Sequence, residues 1–342
     1  MVRYGVGLVV GKFAPLHRGH EALIAFAQSQ CERVLVVSYT QPEFEPALPA
    51  QRHAWLQAVL PQVEGVVIDD AWLQQRGMAL RLLPNDAPDA AHQQFLAQLL
   101  RDGLGHPVDA LFASEDYVHA TAALLAHTFG RPVAAVPFDP SRSQVPISAS
   151  RIRAEPHRHR RFLDPRVYAS FVSRIALVGA ESTGKTTLAR DLAAHYGSVW
   201  AAEYGRELWE AQAGVLSEAD LLRIARTQVA REDALLAQAH QLLACDTTPL
   251  VTQCYADALF GRCDDELRAL SQRPYAHWFL CEPDYPLVQD GTRRDEAFRQ
   301  WQHRWYEAQL AERGIAFTRL TGPAPQRLAQ MVAVIGAVQP AD

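Results

Sequence analysis

Lysine is nearly missing from this chain. Of its 33 lysines and arginines, only Lys12 and Lys185 are lysine. Cysteine is scarce too: Cys31, Cys245, Cys254, Cys263 and Cys281 form no C-x-x-C and, being five, cannot all pair. That excludes a disulfide framework and points to a reducing, cytoplasmic compartment. No apolar run is long enough to insert into a membrane, and the opening MVRYGVGLVVGKF is too short and too broken by glycine to be a signal segment. There is no low-complexity tract and no repeat at fixed period. With a net charge of −5, binding of nucleic acid through general phosphate neutralisation is not expected.

What is present fits two folded domains. The chain has 342 residues, 49% hydrophobic and 21% charged, enough for each half to bury a core. Apolar runs YGVGLVV, RVLVVSY, VEGVVID, VDALFAS and PVAAVPF read as buried strands. Helical patterns lie between them at Gly19–Gln30, Pro49–Leu60, His92–Leu104 and Tyr117–Phe129. The Pro- and Arg-dense stretch RAEPHRHRRFLDPRVYASFVSR breaks this rhythm and reads as a linker. A second βα pattern then restarts at RIALVGAESTGKTTLARDLAAHY and continues through SVWAAEY, HQLLACD, HWFLCEP and IAFTRL. A long helix is expected from Glu218 to about Ala239, opened by a Ser217-x-x-Asp220 capping pattern. The expectation is an α/β chain with two doubly wound parallel sheets: residues 1–155, a linker over 156–172, and residues 173–342. Ligands on such sheets bind at the carboxyl ends of the strands.

Both lysines follow a glycine at the exit of a strand. An ammonium is a compact point charge where guanidinium is a wide fork, so at a tight phosphate loop the two are not interchangeable. The second site is explicit: GAESTGKT, Gly179 to Thr186, is a complete G-x-x-x-x-G-K-[ST] between a strand and a helix. Its backbone amides, with Glu181, Ser182, Thr183, Gly184 and Thr187, would wrap a triphosphate at a helix N-terminus. Lys185 would reach the β- and γ-phosphates, and Thr186 would ligate Mg2+. Asp246, ending the LLACD strand, suits a carboxylate that orients Mg2+ through water or takes a hydroxyl proton; a cap for the helix at Pro249 is the plainer role and is compatible with it. Glu203, Tyr204 and Arg206 offer a carboxylate, a ring and a guanidinium to a nucleoside. Arg293 and Arg294 read either as a lid or as a surface pair.

In the first half, GKFAPLHRGH puts His17 and His20 three apart where a helix begins. They could be metal ligands, bases, core residues or phosphate donors. A zinc site needs further ligands that the segment lacks. The neighbouring Gly11, Lys12, Arg18 and Gly19 argue against a dry core. The phosphate reading has an answering signal in ISASRIR, Ile147 to Arg153, where Ser148, Ser150 and Arg153 stand at another helix start.

A turn of the type G-x-F-x-P-x-H-x-G-H with a later I-S-x-[ST]-x-[IL]-R resembles the nucleotidyltransferase superfamily. Followed by the P-loop half, with EYGRE, CDTT…TQ and QDGTRR, the whole resembles the NadR-type bifunctional family. The resemblance implies a Rossmann-like nicotinamide-mononucleotide adenylyltransferase followed by a P-loop ribosylnicotinamide kinase. Its substrates would be ATP, nicotinamide riboside, nicotinamide mononucleotide and NAD, with Mg2+ as cofactor; a homo-oligomer is compatible with it. Carried onto this chain, Lys12, His17 and His20 contact the ATP phosphates, with Gly11, Phe13, Gly19, Ser148, Ser150 and Arg153 completing that site. In the second half Lys185, Thr186 and Arg293 attend the other ATP, while Glu203, Tyr204, Arg206 and Asp246 surround the acceptor. Two departures stand out. The chain begins at the first strand, where many relatives have a DNA-binding helix-turn-helix, so a repressor role is not expected. It also reads Asp246-Thr247-Thr248 where the family often has Asp-Thr-Asp. The rival readings are the same chemistries on another nucleoside or on a phosphopantetheine-like acceptor, an ATP- or NAD-sensing regulator with weak turnover, and a DNA-binding regulator.

Overall fold

The computed structural model describes residues 3–287 and 294–337. The chain divides between Ser170 and Phe171 into two compact units.

The first unit runs β1 (Tyr4–Gly11), α1 (Arg18–Gln30), β2 (Cys31–Ser38), α2 (Pro49–Val59), β3 (Glu64–Val67), α3 (Asp70–Gln75) and α4 (Asp89–Gln98). It continues through β4 (Ala110–Ala113), α5 (Val118–Phe129), β5 (Ala134–Pro137), α6 (Ala149–Ala154) and α7 (Pro165–Tyr168). All pairings are parallel, in the order β3-β2-β1-β4-β5. β1 is central, so both its faces are covered and its Leu8 and Val9 are fully buried, as expected of a continuous apolar run. Chain order reverses between β1 and β4, and a crevice opens at the ends of these two strands.

The second unit comprises β6 (Ser173–Val178), α8 (Lys185–His195), β7 (Trp200–Ala201), α9 (Tyr204–Ala211), α10 (Glu218–Leu236), β8 (Leu242–Asp246) and α11 (Pro249–Phe260). α12 (Asp265–Leu270), β9 (His277–Cys281), α13 (Glu296–Glu312), β10 (Thr318–Leu320) and α14 (Ala324–Ile335) complete it. Its sheet is also wholly parallel, in the order β10-β9-β6-β8-β7, with β6 central. The capping box expected at Ser217 and Asp220 is formed at the start of α10.

Three local expectations differ from the structure. The strand read over SVWAAEY is only two residues long, an edge strand paired to β8. The helix read at His92 begins at Asp89 and passes into a wider π-type turn over Leu99–Leu104. The linker stretch folds as helical turns on the first unit. There the Asp164 carboxylate caps α7 by accepting from the Arg166 amide at 2.9 Å, the Arg166 guanidinium bonds the Ala58 carbonyl, and Trp55 donates to Ser170 Oγ at 3.1 Å. Its basic character disguised those caps in the sequence. No helix among the described residues is long and apolar enough to cross a membrane.

Candidate active sites

In the first unit the β1–α1 turn carries the histidines. His17 is the N-cap of α1, its Nδ1 accepting from the Gly19 amide at 3.1 Å. That fixes the ring proton on Nε2. His20 lies one turn further, its ring stacked on His17 with centroids 3.7 Å apart and planes 22° from parallel. The Phe13 ring packs against His20 with centroids 4.8 Å apart and planes at 69°. Phe13 itself holds a left-handed φ of 48° while fully buried, a strained conformation of the kind found at functional turns. Gly19 was expected to let a ligand approach. A Cβ there would lie 3.0 Å from His17 Cε1, so the missing side chain also makes room for the imidazole.

Both histidines are kept neutral. Burial, and then the nearby Arg142 guanidinium, lower His17 to about 4. Burial, His17 and Arg142 hold His20 well below the usual histidine range. His20 Nδ1 is buried without a hydrogen-bond partner among the described residues. The pair therefore offers single N–H donors, and the positive charge comes from Lys12, Arg142 and Arg153.

A cavity of about 610 Å3 lies against this turn. Gly11, Lys12, Phe13, His17, Gly19 and His20 line one side, and Ser148, Ser150 and Arg153 another. Ser148 caps α6 by accepting from the Arg151 amide and meets Ser150 Oγ at 3.1 Å. Arg153 bonds the Ala14 carbonyl and lies 4.0 Å over the Phe44 ring, so ISASRIR is tied directly to the first turn. Ser38 at the end of β2 donates to the Lys12 carbonyl at 3.0 Å. Among the described residues, no group of three or more His, Cys, Asp or Glu side chains is arranged to hold a metal.

In the second unit the loop between β6 and α8 has the form its sequence requires. Gly179 has φ of 142°, and a Cβ there would lie 2.7 Å from the Cys281 carbonyl oxygen, so only glycine fits. Lys185 Nζ donates to the carbonyls of Gly179 and Ala180, both at 2.9 Å. Asp246 is buried at the end of β8, beside the Thr186 hydroxyl. Burial pushes its carboxyl up, opposed by that hydroxyl and by Lys185. Asp246 does not cap the next helix, whose N-cap is Thr248. Burial likewise raises Glu203, and Lys185 opposes it.

A cavity of about 460 Å3 is lined by the loop residues Gly179 and Glu181 to Thr187, together with Glu203 and Arg206. Tyr204 and Asp246, assigned to the acceptor from sequence, are not among the lining residues. Tyr204 packs in an apolar cluster with Leu208, Leu221 and Ile224, 5.4 Å beneath Arg231. The aromatic lining comes from Trp209, Tyr255 and Tyr306. Arg293 lies outside the described residues, whereas its neighbour Arg294 lines the cavity.

Residues 174–327 match the model of a family described as an AAA domain. Two curated relatives, from Escherichia coli K12 and Salmonella typhimurium LT2, bear the name trifunctional NAD biosynthesis/regulator protein NadR. Each is 28% identical over 304 residues, covering 84% of this chain and 71% of the relative. The chain is NadR-like. A solved structure of NadR protein in complex with NR superposes with a TM-score of 0.72 at 22% identity, covering 97% of this chain and 95% of the other. A second, in complex with NAD and AMP-PNP, gives 0.71 at 22% identity over 98% and 96%. The two-domain architecture is therefore that of NadR.

Several residues of this NadR-like chain escaped sequence reading. Arg142 sits in a loop without periodicity, at φ of 52°, and reaches the histidines only through the fold. Tyr255 belongs to a helix that reads as core, yet its hydroxyl donates to Glu181 Oε1 at 2.9 Å. Trp209 lies on the amphipathic α9, where an apolar face is expected to be core; no sequence signal separates the two roles.

Proposed function

We propose that the chain is a bifunctional NAD salvage enzyme. The second unit phosphorylates nicotinamide riboside to nicotinamide mononucleotide, and the first transfers an adenylyl group from ATP to that mononucleotide, giving NAD and pyrophosphate. The observation that carries this reading is the pairing, in one NadR-like chain, of a neutral histidine stack at the end of β1 with a P-loop at the end of β6.

In the first reaction the 5′-phosphate of the mononucleotide attacks the α-phosphorus of ATP and pyrophosphate leaves. In-line transfer of this kind needs alignment and charge stabilisation, with no protein nucleophile. Lys12, Arg142 and Arg153 supply fixed positive charge around the triphosphate. His17 Nε2 and the N–H of His20 donate to its oxygens. Gly11, Phe13, Gly19, Ser148 and Ser150 shape the cradle.

In the second reaction the ribose 5′-hydroxyl attacks the γ-phosphorus, the bond to the β,γ-bridging oxygen breaks, and ADP leaves. The loop amides and Lys185 hold the phosphates, while Glu203 and Asp246 are the carboxylates available to take the hydroxyl proton. Trp209 and Tyr255 offer ring faces to the acceptor, whose pyridinium is a cation. Thr186 and Asp246 suit a magnesium ion, because Asp246 Oδ1 is buried with no hydrogen-bond partner among the described residues. Magnesium would neutralise charge between the β- and γ-phosphates, with Thr186 as a ligand and Asp246 directing it through water.

Incubation with ATP, Mg2+ and nicotinamide riboside, followed by mass analysis, tests the proposal. The mononucleotide should accumulate and then convert to NAD. A panel of other nucleosides and phosphate acceptors should give slower turnover. Faster turnover of another acceptor would reassign the substrate.

A further inference from the structure

Four carbonyl groups of the β6–α8 loop, those of Gly179, Ala180, Glu181 and Thr183, are bonded by side chains. Lys185 takes those of Gly179 and Ala180, and Thr183 Oγ1 also donates to Ala180 at 2.8 Å. Those of Glu181 and, one residue beyond Ser182, of Thr183 belong to buried arginines from outside the loop. Arg299 on α13 donates from Nε to the Glu181 carbonyl at 3.0 Å and from Nη2 to the Tyr285 carbonyl at 2.8 Å. Arg327 on α14 donates from Nη1 to the Thr183 carbonyl at 3.0 Å, and from its other nitrogens to the carbonyls of Gly322 at 2.7 Å and Glu282 at 3.0 Å. Arg327 also pairs with Asp284 and lies 4.4 Å over the Tyr285 ring. Both side chains are almost wholly buried. A guanidinium so placed, spending its donors on neutral carbonyls, does more than balance charge.

A peptide group is planar and trans, so its C=O and its N–H point in opposite directions. Pulling the Glu181 carbonyl towards α13 turns the Ser182 amide the other way. Pulling the Thr183 carbonyl towards α14 does the same for the Gly184 amide. Ser182 and Gly184 both line the phosphate cavity. The Glu181 amide, one peptide earlier, is itself taken by Gln302 Oε1 at 3.1 Å, so α13 holds that residue at both of its backbone groups.

We propose that Arg299 and Arg327 are positioning residues that aim the Ser182 and Gly184 amides at bound phosphate, by gripping from behind the carbonyls of the same two peptide groups. The inference rests on reading the second unit as an ATP site, and it is independent of the acceptor. Neither arginine touches the nucleotide. They hold the anion-binding loop in its binding form, so that little reorganisation is needed when phosphate arrives.

The test uses the full chain, with Arg299→Lys and Arg327→Lys compared to wild type. Lysine keeps the charge and loses the fork. Arg52→Lys, at an equally buried arginine of the first unit, controls for general loss of stability. The Ser182 and Gly184 backbone amide resonances are followed through a titration with magnesium and AMP-PNP, beside thermal melting. Each of the two variants should weaken binding at these resonances by about tenfold or more and shrink their shift at saturation, while Arg52→Lys leaves both unchanged. Wild-type affinity and shifts in Arg299→Lys and Arg327→Lys would overturn the inference, as would losses that Arg52→Lys reproduces. If Arg327→Lys unfolds the second unit, Arg299→Lys decides, because part of its guanidinium already reaches the exposed Glu296. If nicotinamide riboside is never phosphorylated but the resonances respond as expected, the acceptor assignment fails and this inference stands.

Discussion

The imidazoles of His17 and His20 form a stack, with ring centroids 3.7 Å apart and both rings neutral at physiological pH. Replacing His20 by alanine removes one N–H donor and the surface on which His17 rests. Adenylyl transfer should fall by about 100- to 1000-fold in kcat, the usual cost of one well-placed donor to developing charge. Phosphorylation of the riboside should continue. Loss of both activities in a folded variant would sink the two-site description.

The same stack makes the first unit sensitive to acid. His17 titrates at about 4 in the fold and near 6.5 when unfolded, and His20 is lowered in the same direction. Between those values the unfolded chain binds more protons, so stability is full above about pH 6.5 and is lost as pH falls towards 4. Melting of the first unit should move to lower temperature from pH 7 to pH 5. His17→Asn keeps a side-chain acceptor for the α1 cap and cannot titrate, so it should reduce that dependence to the part due to His20. An unchanged slope would assign the acid sensitivity to other groups.

Gly19→Ala tests whether the cap and the stack are one unit. The added methyl would sit 3.0 Å from His17 Cε1 and 3.1 Å from Nδ1. The ring must shift, loosening a cap worth about 1 kcal/mol and misaligning Nε2. Adenylyl transfer should drop at least tenfold, with a small decrease in melting temperature. Full activity would show that the ring can move without consequence.

In the second unit Lys185→Ala should abolish phosphoryl transfer and leave adenylyl transfer intact. Asp246→Asn should be nearly as severe, because the shape is kept but the carboxylate charge is gone. A raised Mg2+ requirement in Asp246→Asn, read from kcat against metal concentration, would assign the carboxylate to the ion. A kcat loss at every Mg2+ concentration would assign it to the hydroxyl proton.

Much of this arrangement was legible in the residues. Continuous apolar runs pointed to the parallel strands, and the GAESTGKT spacing located a loop whose Gly179 cannot carry a Cβ. HRGH and ISASRIR could be paired from sequence because both stand at helix starts. Arg142 could not be found that way, since a loop residue reaches His17 only through the turn that carries it. Tyr204 stands away from the cavity for the opposite reason. It stands beside Glu203 in sequence, but on a helix adjacent positions face different ways, and its ring turned to the apolar cluster while Glu203 faced the cavity. Arg299 and Arg327 look in sequence like helix-surface charges, because nothing local says that loop carbonyls wait behind them.

The two sheets share a central first strand but differ by one exchange. In the first unit the chain goes from β1 through α1 to the adjacent strand, β2. In the second it goes from β6 through α8 to the sheet margin, and β8 enters between. That exchange decides which strand end borders the turn after the central strand. Beside β1 it is Ser38, whose hydroxyl braces the Lys12 carbonyl. Beside β6 it is Asp246, whose carboxylate meets the hydroxyl of Thr186. A difference in winding thus separates a turn steadied by an uncharged brace from one given an anionic neighbour.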